Sequence, residues 1–148
     1  MRQPYQILNL LYKKDENNNL IYGVLLRKKQ NVWQFVAGGG EENETPIQTA
    51  KRELKEETGI EIKDNEITKL DAISTIPVVN ITGEFTWGKN VYVIPEYTFA
   101  INATNKKVKI SNEHKKIEWL SYENAMKKLE FDSNKTALWE LNEKLKRK

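Results

Sequence analysis

The chain has 148 residues, 39% of them hydrophobic and 30% charged, with no Cys and a formal net charge of +3. That length suits one domain over residues 1–148; the balance excludes a disordered chain, and the missing thiols exclude disulfides and thiolate metal sites. The stretch from Met1 to Gln6 is polar and no long apolar run follows it, which excludes a signal peptide and a membrane span, so a cytoplasmic location is expected.

Ile7 to Tyr12 and Leu20 to Leu26 are apolar runs of strand length around the polar turn Asp15 to Asn19, the pattern of a β-hairpin or meander. Trp33 to Ala37 reads as a short strand ended by Gly38, Gly39 and Gly40. A helix follows, then a strand near Ile67 to Ser74 and a loop-like stretch from Val78 to Lys89. Val91 to Ile101 is a further strand in which Pro95 implies an edge position or a bulge. After a short strand from Ile117 to Leu120, Ser121 caps a helix to about Leu129. The last helix starts near Ser133, with Ala137, Leu138, Leu141 and Leu145 on one face. Strands and helices mix without strict alternation, so the expected architecture is α/β (α+β), with a mixed sheet and helices on both faces. The excess charge sits largely in the tail Lys144, Lys146, Arg147 and Lys148, which reads as a solvated helix end. No aromatic-basic interleaving or nucleic-acid motif accompanies it, so no nucleic-acid partner and no membrane are expected.

The segment from Thr45 to Gly59 is the most informative. Thr45 is a good N-cap, Pro46 a good first helical residue, Gln48 completes a capping box, and Gly59 is a left-handed stop. Ile47, Ala50 and Leu54 form an apolar stripe. Glu53, Glu56 and Glu57 group three carboxylates on a neighbouring face, with Glu53 and Glu57 nearest the stripe and therefore expected to be partly buried. Like charges at i, i+4 cost on the order of 0.2–0.5 kcal/mol, and acids near a helix C-terminus cost about 0.3–1 kcal/mol each. A bound cation reverses both signs, and clustered oxygens suit Mg²⁺ or Mn²⁺. An exposed acidic face balanced by Lys51, Arg52 and Lys55 is the alternative that these three residues alone leave open.

Gly38, Glu44, Arg52, Glu53, Leu54, Glu56, Glu57, Gly59 and Ile60 stand at the spacing G-x5-E-x7-R-E-U-x-E-E-x-G-U, with U aliphatic, over residues 38–60. This resembles the complete Nudix box. The resemblance implies a Nudix α/β/α sandwich and a metal-dependent hydrolase that cleaves a diphosphate linkage by water attack on phosphorus. By the same resemblance Glu53 and Glu57 are the main metal ligands, with Glu56 and the Gly38 carbonyl as further ones. Arg52 orients a box glutamate, and Glu44 ties the loop to the helix. The three glycines let the backbone turn tightly beside the metal. Asn43 stands where the family has glycine, and Asn tolerates the left-handed conformation. Glu113-His114 before Trp119-Leu120 resembles a later family segment. That makes Glu113 a further metal ligand or the general base, with a solvated loop acid as the alternative; His114 is read as structural.

Within the family the chain is most similar to the bacterial dihydroneopterin triphosphate diphosphatase-like branch. The similarity rests on Trp33-Gln34, Glu96 to Phe99, Glu113-His114 and Asp132 to Asn134. It implies that Arg27 and Arg2 contact phosphates and that Ala37, Gly39 and Phe131 line the substrate site. Trp33, Trp87 and Phe131 are candidates for stacking on a flat heterocycle, each with a core position as the alternative. The substrate so implied is a nucleotide or pterin polyphosphate, the latter placing the chain in folate synthesis. A nucleoside triphosphate pyrophosphatase of nucleotide-pool sanitation and a non-catalytic nucleotide-sensing Nudix domain are the rival readings; a homodimer is left open.

Overall fold

The computed structural model describes residues 2–147; Met1, which opens the stretch to Gln6, and Lys148, the last of the basic tail, lie outside the described residues. The chain folds in the order β1 (Gln6–Lys14), β2 (Leu20–Arg27), β3 (Trp33–Gln34), β4 (Val36–Gly39), α1 (Pro46–Thr58), β5 (Ile67–Pro77), α2 (Val79–Thr82), β6 (Val93–Asn102), β7 (His114–Leu120), α3 (Tyr122–Lys128) and α4 (Asp132–Lys146). The strands form one seven-stranded sheet with the path β3-β2-β1-β6-β5, β4 pairing with β1 and β7 with β2. It is mixed: β1 and β6 run parallel, while β1 is antiparallel to both β2 and β4.

One feature of the pairing positions everything else. β6 lies along one edge of β1 from Gln6 to Tyr12. The other edge is divided, with β4 taking Gln6 to Asn9 and β2 taking Leu11 to Lys14. β7 pairs with β2 from Tyr22 onward, and beyond Gly23 β2 leaves β1 and takes β3 at Leu25 and Leu26. The sheet therefore forks between β2 and β4.

Alternation along β1 sends its side chains to two separate cores. Leu8 and Leu10 pack with Ala125, Leu129, Ala137, Leu138 and Leu141 of the α3–α4 side. Ile7 and Leu11 pack with Ala50 and Leu54 of α1. Helices thus cover both faces, as expected. In α1 the capping box of Thr45 with Gln48 is present, and Gly59 ends the helix at φ 73°. The apolar stripe needs correction: Ile47 is 38% exposed while Ala50 and Leu54 are fully buried. Thr49 takes the inward position, because its hydroxyl meets the Tyr5 hydroxyl and the Glu44 carboxylate. The buried face is thereby rotated toward Glu57.

Three further differences have local causes. The expected strand from Trp33 to Ala37 breaks into β3 and β4 because the Phe35 amide donates to the Asn134 side chain instead of to a ladder partner. The stretch after Val78 contains the short α2. Pro95 sits where β6 has run past β1 and pairs with β5 alone, so its position is an edge one locally; the bulge lies in β5, between Lys69 and Ile73. The basic tail behaves as a solvated helix end, with Lys144 paired to Glu140 and Lys146 and Arg147 paired to Glu143. Among the described residues no helix is long and apolar enough to cross a membrane.

At the β5 bulge the amides of Asp71 and Ala72 donate to the two oxygens of Glu140, at 2.7 and 2.8 Å. Glu140→Ala is expected to cost about 1–3 kcal/mol, read as a lower urea midpoint with unchanged slope.

Candidate active site

Arg52 is the hub of the acidic helix. Its Nε donates to Glu44 Oε2 at 2.6 Å and its Nη2 to Glu44 Oε1 at 3.0 Å, a bidentate pair. Nη2 also reaches the Gly39 carbonyl at 2.8 Å. Nη1 lies between two carboxylates of the same helix, 3.0 Å from Glu53 and 3.2 Å from Glu56. Glu44 in turn accepts from the Glu41 amide and the Thr49 hydroxyl. The loop before α1 and the helix itself are thus joined through one guanidinium. Asn43 adopts the left-handed conformation at φ 66°, as its residue type allows.

The three glycines serve a different purpose from the one the sequence suggests. None has a positive φ, so tight turning is not their role. A Cβ on Gly38 would lie 2.2 Å from the Glu53 carboxyl carbon. One on Gly39 would lie 2.0 Å from Arg2 Nε, and one on Gly40 would lie 2.2 Å from the Tyr5 ring. Each glycine gives its side-chain volume to a different neighbour. Alternation along β4 then sorts these neighbours, Glu53 on the α1 side at Gly38 and Arg2 on the opposite face at Gly39.

At the fork of the sheet lies a cleft of about 670 Å³. Gly38, Glu53, Glu56, Glu57 and Glu113 are among the residues that line it. Arg2, Arg27, Ala37, Gly39 and Phe131 line the same cleft. Arg52 instead lines an adjoining hollow with Gly39, Gly40 and Glu53, so it meets the cleft through Glu53 and Glu56. Trp33 lies outside the cleft and carries Lys116 and Lys128 over its ring, at 5.5 and 4.7 Å. Trp87 is also outside, its indole N–H donating to the Arg2 carbonyl; of the three aromatic candidates, Phe131 alone faces the cavity. Sequence reasoning missed Ser111, Gln6 and Glu96 as contributors to the site. Ser111 reaches it because its amide bonds the Glu57 carbonyl, which lays the loop before β7 against the end of α1.

The carboxylates differ sharply in environment. Glu57 is 7% exposed. Its Oε2 accepts from the Ser111 hydroxyl at 2.8 Å and lies 3.1 Å from Nδ1 of buried His114. His114, and then Ser111, hold Glu57 below the ordinary carboxylate range against the opposing effect of burial. Burial pushes Glu53 the other way, up to about 7, against the pull of Arg52. Arg52 holds Glu44 down at about 2. Among the described residues no three His, Cys, Asp or Glu side chains converge as a complete metal cage. The donor set nevertheless fits Mg²⁺ or Mn²⁺, which are bound through one or two carboxylates with substrate phosphates completing the shell. Glu53 and Glu57, both largely buried and on one cleft, are the pair that would serve.

A raised folded-state pKa means that the folded protein binds the extra proton, so stability falls as pH rises from 4.5 through about 7. In the presence of a chelator, the wild type is expected to lose thermal stability over that interval, and Glu53→Gln to reduce the loss, the remainder including the contribution of buried Glu96. Melting curves at pH 5 and pH 8 check this.

The NUDIX domain profile matches residues 10–139. A crystal structure from Listeria monocytogenes assigned as a NUDIX hydrolase is 46% identical, covers 98% of this chain and 96% of that one, and superposes with a TM-score of 0.86. Dihydroneopterin triphosphate diphosphatase of Haemophilus influenzae is 27% identical over 136 residues, 89% of this chain and 83% of that protein. The structure of the Escherichia coli dihydroneopterin triphosphate pyrophosphohydrolase shares the fold at 24% identity and a TM-score of 0.72, over 95% and 97% of the two chains. With the box geometry, the profile match across most of the sequence and a 46% identical full-length relative, this chain belongs to the NUDIX domain family.

Proposed function

We propose that the protein hydrolyses a diphosphate linkage in a small nucleotide-like polyphosphate, with a divalent cation held by Glu53 and Glu57. The observation that carries this reading is the single cleft in which box carboxylates face Arg2 and Arg27. Carboxylates alone would repel a polyphosphate, and arginines alone would bind it without activating water. Each arginine has a buried Nε with no hydrogen-bond partner among the described residues, so each holds a donor available to an anionic oxygen.

A phosphoanhydride resists attack because its charge repels nucleophiles, and the remedy is neutralisation and a positioned water. The cation, when bound, supplies charge neutralisation at the phosphates and acidifies water. Glu53 and Glu57 hold it, and Glu56 supplies a further oxygen on the same face. Ser111 and His114 keep Glu57 ionised and oriented. Arg27 and Arg2 position the phosphate chain. The water oxygen forms a bond to phosphorus while the bond to the departing pyrophosphate oxygen breaks, and the proton passes to Glu113 or Glu56. No covalent enzyme intermediate is required.

The finer reading is a pterin triphosphate, cleaved to the monophosphate and pyrophosphate. It is supported by the two relatives named for that activity and by the apolar walls of Ala37 and Phe131 beside the arginines. The test is incubation with Mg²⁺ or Mn²⁺ and a panel of pterin and nucleoside triphosphates, assaying pyrophosphate against orthophosphate. Pyrophosphate released fastest from the pterin compound supports it, comparable release from nucleoside triphosphates favours a sanitation enzyme, and silence across the panel overturns the hydrolytic reading.

Glu57→Gln is expected to fold normally and to lose roughly 10²–10⁴-fold in kcat. Gly38→Ala is expected to lose activity comparably, because its methyl group displaces the Glu53 carboxyl, while Arg27→Ala acts chiefly on KM. Steady-state kinetics with circular dichroism of each variant check all three.

A further inference from the structure

At the end of the cleft away from the box glutamates lies a carboxyl group that the hydrolytic chemistry does not use. Glu96, on β6, is 2% exposed and lines the same cavity. Its neighbour Gln6 is oriented by Arg2, whose Nη2 donates to Gln6 Oε1 at 3.1 Å. The Gln6 amide nitrogen is thereby turned to Glu96, donating to Oε2 at 2.7 Å. Glu96 Oε1 is buried and has no hydrogen-bond partner among the described residues. Leaving such a buried acceptor unmade is destabilising, and folding alone gives no reason to keep it. Burial holds this carboxyl above its ordinary range, opposed by Gln6 and by the nearby Ser133 hydroxyl, which makes no hydrogen bond to Oε1.

The sheet register supplies the spacing. Gln6 stands opposite Gly39 on one side and Glu96 on the other, so Glu96 lies two strand spacings, roughly 10 Å, from the glycine that seats Arg2. Around it Leu8, Ala37, Ile76 and Phe131 give the cleft apolar walls. A flat ring entering between those walls, its phosphates toward the arginines and box carboxylates, would present an edge to Oε1. A cation is disfavoured there because an amide N–H already points at the same carboxylate.

We infer that Glu96 reads the base of the substrate, accepting adjacent N–H donors from a 2-amino-4-oxopyrimidine ring, the edge common to guanine and pterins. Such a ring offers a ring N–H and an exocyclic amine side by side, and a carboxylate has lone pairs for both. Adenine lacks this donor pair, and hypoxanthine keeps the ring N–H without the amine. This inference rests on the proposed polyphosphate cleft, but it is a claim about binding and is separable from hydrolysis.

The test is calorimetric titration with non-hydrolysable guanosine, inosine and adenosine 5′-triphosphate analogues in Mg²⁺. The wild type is expected to bind the guanosine analogue roughly 10–100-fold more tightly than the other two, and Glu96→Gln to erase the preference while keeping the adenosine affinity. Glu96→Asp, which withdraws the carboxylate by one methylene, serves if the first variant fails to fold and should weaken guanosine selectively. Equal affinities in the wild type, a preference that survives in the variants, or no binding at all would overturn the inference. A Glu96-dependent guanosine preference without turnover of any triphosphate would sink the hydrolytic reading and leave the recognition standing. Pyrophosphate release from neopterin triphosphate against GTP then assigns the edge to a pterin or to guanine.

Discussion

The site depends on keeping several carboxylates close together inside a fold that gains nothing from their mutual repulsion. Glu53, Glu56 and Glu57 lie toward the C-terminal end of α1, where the helix dipole adds to their cost. Arg52 makes the arrangement tenable, pairing with Glu44 in two places and reaching Glu53 and Glu56 with the remaining nitrogen. Its fork geometry is the reason that a lysine would not substitute, since a point charge cannot serve the loop carboxylate, the Gly39 carbonyl and two helix carboxylates at once. Glu57, beyond the reach of Arg52, is served from the opposite direction by Ser111 and His114.

The forked sheet provides the space. Because β1 gives half of one edge to β4 and the other half to β2, a wedge opens whose walls come from distant parts of the chain. The glycines at positions 38–40 then let an acid, a base and an aromatic ring each approach the backbone at the end of β4 more closely than a Cβ would permit. Opposite charges are brought within one cleft without being paired to each other throughout, which is the condition for receiving an ion and a polyanion together. The same strand alternation that separates the two hydrophobic cores also separates Glu53 from Arg2.

Much of this was legible in the chain itself. The limits of α1, the mixed sheet covered on both faces, the left-handed Asn43 and the partial burial of Glu53 and Glu57 all follow from local rules of capping, periodicity and backbone preference. Those rules act within a few residues, so the letters record them. Of the site candidates that the sequence offers, Gly38, Gly39, Glu53, Glu56, Glu57, Glu113, Arg2, Arg27, Ala37 and Phe131 share one cleft, and Arg52 stands beside it.

What the letters could not reveal depends on contacts between distant segments. The inward turn of Thr49 in place of Ile47 is decided by Tyr5, 44 residues away. The break at Phe35 is decided by Asn134 on the last helix. The purpose of the glycines appears only when Glu53, Arg2 and Tyr5 are seated against them, and Glu96 becomes conspicuous only because its second oxygen is buried without a partner among the described residues. Sequence by itself determined the elements and the chemical inventory, because helix caps and repeat patterns are short-range. Tertiary structure alone decided which of those groups share a cavity, because the register of β1 with β4, β6 and β2 is a long-range choice that no single segment encodes.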